Sequence, residues 1–378
     1  MEPEQLLRDL IALPSVNPAF LPEGDERAGE WRVADFLASL AAKAGLPVEF
    51  QEVFPAKGSM RSRSNLIVRL GTDGPAKRRI ILAPHLDTVP AESFKPRIEK
   101  GRMHGRGACD TKGSVAAMFS AVLQLAASGA RPRETEILFL GLMDEENGQE
   151  GSRAFARSKI KGDLAIIGEP TELKVVTAHK GDLWLKLVTN GRAAHGARPE
   201  LGDNAVHQMA RVIDILETKY QRALRKRRHP ILGSPTINVG AVRGGTQPNI
   251  VPDRCEIDID RRTVPGEKDG AVQHEIVDFV KAHGSKVQLI NSKTGSCMAL
   301  ETNPKLPLVK ELMHLAQQTK PAGVDFFCDA SIIASGGTPS IVFGPGNIAQ
   351  AHTLDEWISL RSLQQATALL IRFLRSLP

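Results

Sequence analysis

Ile80-Ile81-Leu82-Ala83-Pro84-His85-Leu86-Asp87 is the stretch on which the reading of this chain turns. Four apolar residues with strand character run into a proline, and a histidine and a carboxylate follow two positions apart. An α/β protein presents metal ligands in this way, at the carboxyl end of a buried strand. The pair alone is a weak signal. It gains weight because further nitrogen and oxygen donors follow, each just beyond an apolar run of its own.

Working outward, short β-rich runs at 48–53, 65–70, 80–83, 137–143, 164–167 and 175–178 alternate with helical stretches at 4–13, 25–44 and 114–127. Such alternation predicts a three-layer α/β domain around a mostly parallel, buried sheet. After Gly181 the pattern changes. Residues 183–189 alternate as a half-exposed strand, and a helix at 204–217, strands at 236–242 and 254–260, a helix at 268–282 and a strand at 287–290 follow. These elements predict an inserted α+β unit, a four-strand antiparallel sheet with two helices. Beyond Pro304 the α/β pattern resumes, with a short helix at 330–334, a strand at 340–343 and a closing helix at 360–374. The expected organisation is a first catalytic part at 1–180, an insert at 181–293 and a second catalytic part at 294–378.

Composition narrows the function. The chain of 378 residues is 42% hydrophobic and carries a net charge of +6. No apolar stretch approaches the roughly 18 residues of a membrane span, and no basic, then apolar, leader opens the chain. A cytoplasmic protein without a membrane partner is expected. Cys109, Cys255, Cys297 and Cys328 are scattered and form no C-x-x-C pair, so reduced thiols are expected. The densest basic run, Arg225 to Arg228, stands alone in a chain with one Tyr and three Trp, and reads as a solvated helix end rather than a nucleic-acid surface.

The remaining donors are Asp110 in Gly105–Gly113, the acidic run Asp144-Glu145-Glu146 after the strand at 137–142, Glu169 before Pro170, and His352. Taken singly, Asp110 reads as a helix cap, the acidic run as a solvated loop, Glu169 as a turn residue and His352 as structural. Together they lie at strand ends or in the loops beyond, where open α/β sheets build their sites. Nitrogen and carboxylate donors without thiolate suit zinc, with cobalt or manganese as alternatives. Two histidines and three carboxylates exceed what one open catalytic zinc needs and suit a pair of metals. The glycine-rich run at 105–113 lacks the G-x-x-x-x-G-K-[ST] spacing of a phosphate loop, and no dinucleotide fingerprint follows the first strand.

The motifs HLDTVP at 85–90, GRGACDTKG at 105–113, DEENGQEG at 144–151, GEPT at 168–171 and QAHTLDEW at 350–357 resemble those of the co-catalytic dizinc amidohydrolases. That family includes acetylornithine deacetylase, succinyl-diaminopimelate desuccinylase, aminoacylase and carboxypeptidase G. The resemblance covers nearly the whole chain. It implies two zinc ions: Asp110 bridging both, His85 and Glu169 completing one site, Glu146 and His352 the other. It makes Glu145 the general base that activates a water for attack on an amide carbon, and has Asp87 orient His85. It implies a cis peptide after Asp110. It implies that the insert at 181–293 is a lid through which two copies dimerise, with His195 stabilising the oxyanion in the partner's site and Asn249 and Arg262 binding substrate. The implied substrate is an N-acyl amino acid. The stretches at 168–181 and 343–357 resemble the acetylornithine deacetylases most. A succinylated diamino acid, or a peptide or folate-type glutamate amide, is the alternative substrate. A catalytically silent relative would have lost a ligand or the base, and every expected position here is filled.

Overall fold

A computed structural model describes residues 1–55, 62–72, 74–291 and 295–378; the expected boundary at 293–294 falls outside them. The chain forms two compact units. One comprises Met1–Thr177, Thr302–Ala322 and Cys328–Pro378; the other comprises Ala178–Glu301 and Gly323–Phe327.

In the first unit a twisted sheet runs, in spatial order, through Val48–Phe54, Arg63–Leu70, Thr135–Gly141, Arg78–Ala83, Leu164–Ile167 and Ser340–Val342. The last four of these are mutually parallel, and antiparallel strands occupy the flank. Ile80, Ile81, Leu82 and Ala83 are fully buried, as are Leu164, Ala165 and Ile166. Burial on both faces explains why these strands read as unbroken apolar runs rather than alternating ones. The Lys112–Ser128 helix packs against the closing helix Leu360–Arg375 and against Pro3–Ile11. It is rich in alanine and buried nearly all round, and Gly129 ends it with a left-handed φ of 62°.

The helix expected from residue 25 starts only at Trp31. The carboxylate of Asp25 accepts from the backbone N–H of Arg27 and pairs with its guanidinium, and Gly29 has a φ of 92°. That local turn competes with a helical start. Three short strands, Arg97–Glu99, Arg102–His104 and Trp357–Ser359, form a small sheet that the sequence did not announce.

The second unit holds the four-strand antiparallel sheet, ordered Thr236–Gly244, Arg254–Thr263, Gly181–Asn190 and Gln288–Asn291. Alternate residues of Arg254–Thr263 are buried. Cys255, Ile257 and Ile259 share a core with Val272, Ile276 and Val280 of the Asp269–Ala282 helix and with Met209 and Val212 of the Ala205–Asp214 helix. The latter continues through a π-helical turn, Ile215–Tyr220, into Gln221–Leu224. All four cysteines are buried free thiols. Among the described residues no helix is long and apolar enough to cross a membrane.

Candidate metal centre

Three neighbouring parallel strands, Thr135–Gly141, Arg78–Ala83 and Leu164–Ile167, are followed by Glu145 and Glu146, by His85 and by Glu169 at one end of the sheet. Leu86 donates its N–H to the Leu142 carbonyl and Leu142 donates to Pro84, so the tip carrying His85 and the loop carrying Glu145 and Glu146 advance in register. Asp110 sits just before the Lys112–Ser128 helix, and the Asp110–Thr111 peptide is cis.

Asp110 is the middle of the cluster. Its Oδ1 lies 3.0 Å from His85 Nε2 and its Oδ2 lies 3.3 Å from His352 Nε2. Each imidazole nitrogen has a second carboxylate: Glu169 Oε1 at 3.9 Å from His85, and Glu146 Oε2 at 3.0 Å from His352. One donor atom each from His85, Asp110 and Glu146 fall within 4.8 Å of one another. His85, Asp110 and Glu169 are buried, while the His352 side chain is 56% exposed.

The electrostatics are those of a cation site. Burial opposes charge on His85, yet the charge of Glu169 and the bond to Asp110 hold its pKa well above the ordinary value. Hydrogen bonds to Asp110 and Glu146 lift His352 to about 10. Burial pushes Glu169 and Glu145 well above the usual carboxylate range; His85 opposes, while Asp329 and Glu146 add to the rise. Asp110 stays below that range despite burial, because His352 and His85 both bond to it. Crowded carboxylates disfavour joint ionisation unless cations are present. Glu146 Oε1 is buried and has no hydrogen-bond partner among the described residues. An orphaned carboxylate oxygen beside imidazole nitrogens fits a divalent cation.

Asp87 acts more widely than its motif suggests. The shorter contact of His85 Nδ1 is with the backbone carbonyl of Asp87, at 3.0 Å; the carboxylate Oδ1 is at 3.5 Å. That carboxylate instead accepts from the backbone N–H groups of Glu145 and Glu146, each at 3.1 Å, and from Asn17 Nδ2 at 2.7 Å. Asn17, fully buried, also donates to Asp144, which pairs with Arg63. Sequence reasoning missed Asn17, Arg63 and Asp329. Asp329 is buried against Ser152, and burial raises its carboxyl to about 7. Nothing local in a single sequence marks such residues, because their partners lie on distant segments.

The other three candidates belong to the second unit. His195 is exposed and pairs through an isolated β-bridge with Ile250. Its Nδ1 accepts from the Ala197 N–H at 3.1 Å, which leaves Nε2 as the protonated nitrogen of a neutral ring. Asn249 lies alongside: its carbonyl accepts from the Gly196 N–H at 2.7 Å. A side chain at Gly196 would come within 2.9 Å of the Asn249 backbone, so this approach requires glycine. A cavity of about 450 Å³ opens between these loops, lined by Gly196, Thr246, Gln247, Pro248 and Ile250 among others. Arg262 is part-exposed, with Nη2 2.9 Å from Asp260 and 3.6 Å from Asp182. Its neighbour Arg261 points to the opposite face, fully buried and paired with Glu267 at 2.7 Å, as strand alternation requires.

Fold and cluster together define an α/β protein with a candidate metal site at its strand tips, and comparison with known proteins says which kind. The chain belongs to peptidase family M20/M25/M40, whose sequence pattern matches residues 81–376, and it is a metal-dependent hydrolase of that family. An acetylornithine deacetylase of Pasteurella multocida is 30% identical over 98% of this chain and 96% of its own. A tripeptidase of Staphylococcus aureus superposes with a TM-score of 0.79 at 19% identity, covering 99% of this chain and 97% of its own. A Bacillus subtilis member described as a dinuclear metal-binding peptidase superposes at 0.70 with 12% identity, over 99% and 97% of the two chains.

Proposed function

We propose that this protein removes the acyl group from an N-acyl amino acid, with N-acetyl-L-ornithine the foremost substrate, and serves arginine biosynthesis in the cytoplasm. The observation that carries the reading is Asp110, whose two carboxylate oxygens face two histidines, each imidazole also near a glutamate. In this reading His85, Asp110 and Glu169 hold one divalent ion, and Asp110, Glu146 and His352 a second. Zinc suits these donors, with cobalt or manganese as alternatives. The chemistry such ions supply is Lewis acidity, which polarises a carbonyl and acidifies water toward neutrality.

The rest falls to the side chains. Glu145, raised by burial and by its acidic neighbours, takes a proton from the attacking water and returns it to the departing amine. Asp87 keeps Glu145 and Glu146 in place through their backbone N–H groups. His195, with its proton on Nε2, donates to the oxyanion as charge develops there. The insert, residues 181–293, forms a homodimer in which His195 serves the partner's site. Arg262 takes a substrate carboxylate in place of Asp260, and Asn249 also binds substrate.

A zinc-loaded hydrolysis panel with the released amine quantified tests this. It contains N-acetylornithine, other N-acetyl amino acids, N-succinyl-diaminopimelate and a C-terminal glutamate amide. N-acetylornithine is expected to turn over fastest. A preference for the succinylated diamino acid or the glutamate amide replaces the substrate while keeping the chemistry. Release from none, with two metals bound per chain, ends the deacetylase reading.

A further inference from the structure

The glycine-rich loop at 105–113 wraps a carboxylate. Glu356 is 2% exposed, and both of its side-chain oxygens are filled. Oε1 accepts from the backbone N–H groups of Cys109 at 2.8 Å and Asp110 at 2.9 Å. Oε2 accepts from the N–H of Gly107 at 2.9 Å and from Arg106 Nη1 at 2.8 Å. The Glu356 carbonyl accepts a further bond from the Gly105 N–H at 2.9 Å. Successive N–H groups converging on one anion form a nest, the arrangement that elsewhere holds phosphate. Gly107 permits the curl: its φ is 81°, and a Cβ there would meet Lys112 at 2.8 Å.

The placement matters because of what each end carries. Asp110, which gives up its N–H to Glu356, bears the carboxylate between His85 and His352. Glu356 itself stands four residues after His352. Just beyond it, Trp357 and Ile358 pair with His104 and Met103 in the small sheet, so the chain is held immediately after the carboxylate. The main chain of Asp110 and the anchor of the His352 loop therefore meet at one side chain.

We propose that Glu356 is a positioning residue for the metal centre: its buried carboxylate fixes the Asp110 main chain and ties it to the loop that carries His352. The proposal rests on the reading of these residues as metal ligands. Four donors converge on a group that accepts only. Glutamine keeps the size of Glu356 but turns one of its two oxygens into a donor. In Glu356→Gln one pair of N–H groups then faces another N–H, and the loop must shift to relieve it.

The test is metal binding to the metal-free protein, read by competition with a chromogenic chelator so that no turnover is involved. Glu356→Gln is expected to bind about 10–100-fold more weakly, the usual cost of losing a partner that orients a ligand. Leu370→Ala, a core truncation in the closing helix, serves as the control. It should lower the melting temperature yet bind metal like wild type, which separates positioning from general loosening. Should Glu356→Gln not fold, Arg106→Gln removes one of the four donors and is expected to weaken binding several-fold. Wild-type affinity in the folded Glu356→Gln protein, or failing that in Arg106→Gln, overturns the proposal alone. A wild-type protein that binds no metal overturns the metal-centre reading and this proposal with it.

Discussion

The donor cluster of the first unit and the His195 loops of the second use polar residues in opposite ways. Asp87 accepts three hydrogen bonds, Glu356 four through its carboxylate, and Asp110 touches two histidines. Among the described residues His195 has one ring contact, to a backbone N–H two residues away. Buried charge must be tied at several points, since each unmet group costs free energy. A group that meets a substrate gains from being held lightly and left accessible. In the proposed mechanism the difference separates residues that stay from a residue that receives.

Glu145 offers the hardest way to break that comparison. It is partly exposed yet sits among the tied groups. Glu145→Ala is expected to lower kcat by about 10²–10⁴-fold, the range of general acid–base catalysis, with metal content unchanged. Hydrolysis rates and metal analysis on the same sample check this; near-normal turnover removes Glu145 from the mechanism. His195→Ala comes next. Losing one oxyanion donor should lower kcat by about 10²–10³-fold with KM close to wild type, and with no change in melting temperature because the side chain is exposed. A rise in KM alone would instead make His195 a binding group.

A last test sharpens the comparison inside the second unit, which has a tightly held histidine of its own. His179 is fully buried, donates from Nδ1 to the Lys180 carbonyl at 2.8 Å and packs edge-on against Phe327. Burial pushes its pKa down from 6.5 to about 4. Between those values the unfolded chain holds a proton that the folded chain refuses. Stability contributed by the neutral ring is therefore complete above pH 6.5 and falls as pH drops toward 4, by ~3 kcal/mol in all. Denaturant midpoints for wild type and His179→Phe across that range should show the slope in the first and its flattening in the second. Equal slopes would mean that His179 accepts its proton without penalty.

How much of this was legible in the sequence depended on what each residue answers to. His85, Glu146 and Glu169 stand just past apolar runs, and only a few side-chain types can serve there, so position and type together singled them out as candidates. Asn17 and Glu356 bind mostly backbone groups or distant carboxylates, and Glu356 looked like the tail of a histidine motif. The late start of the Trp31–Lys43 helix turned on one Asp25–Arg27 contact, which helical periodicity cannot report. Strands of three residues, such as Trp357–Ser359, are too short to display any period.

Asp110 and Glu356 lie 246 residues apart in the chain. At ribosomal rates of about 5–20 residues per second, the loop emerges roughly 10–50 s before the carboxylate it encloses. During that interval the backbone N–H groups of Gly107, Cys109 and Asp110 lack the acceptor they meet in the folded chain. Closure of the loop at 105–113 around its carboxylate is accordingly one of the last steps in building the first unit.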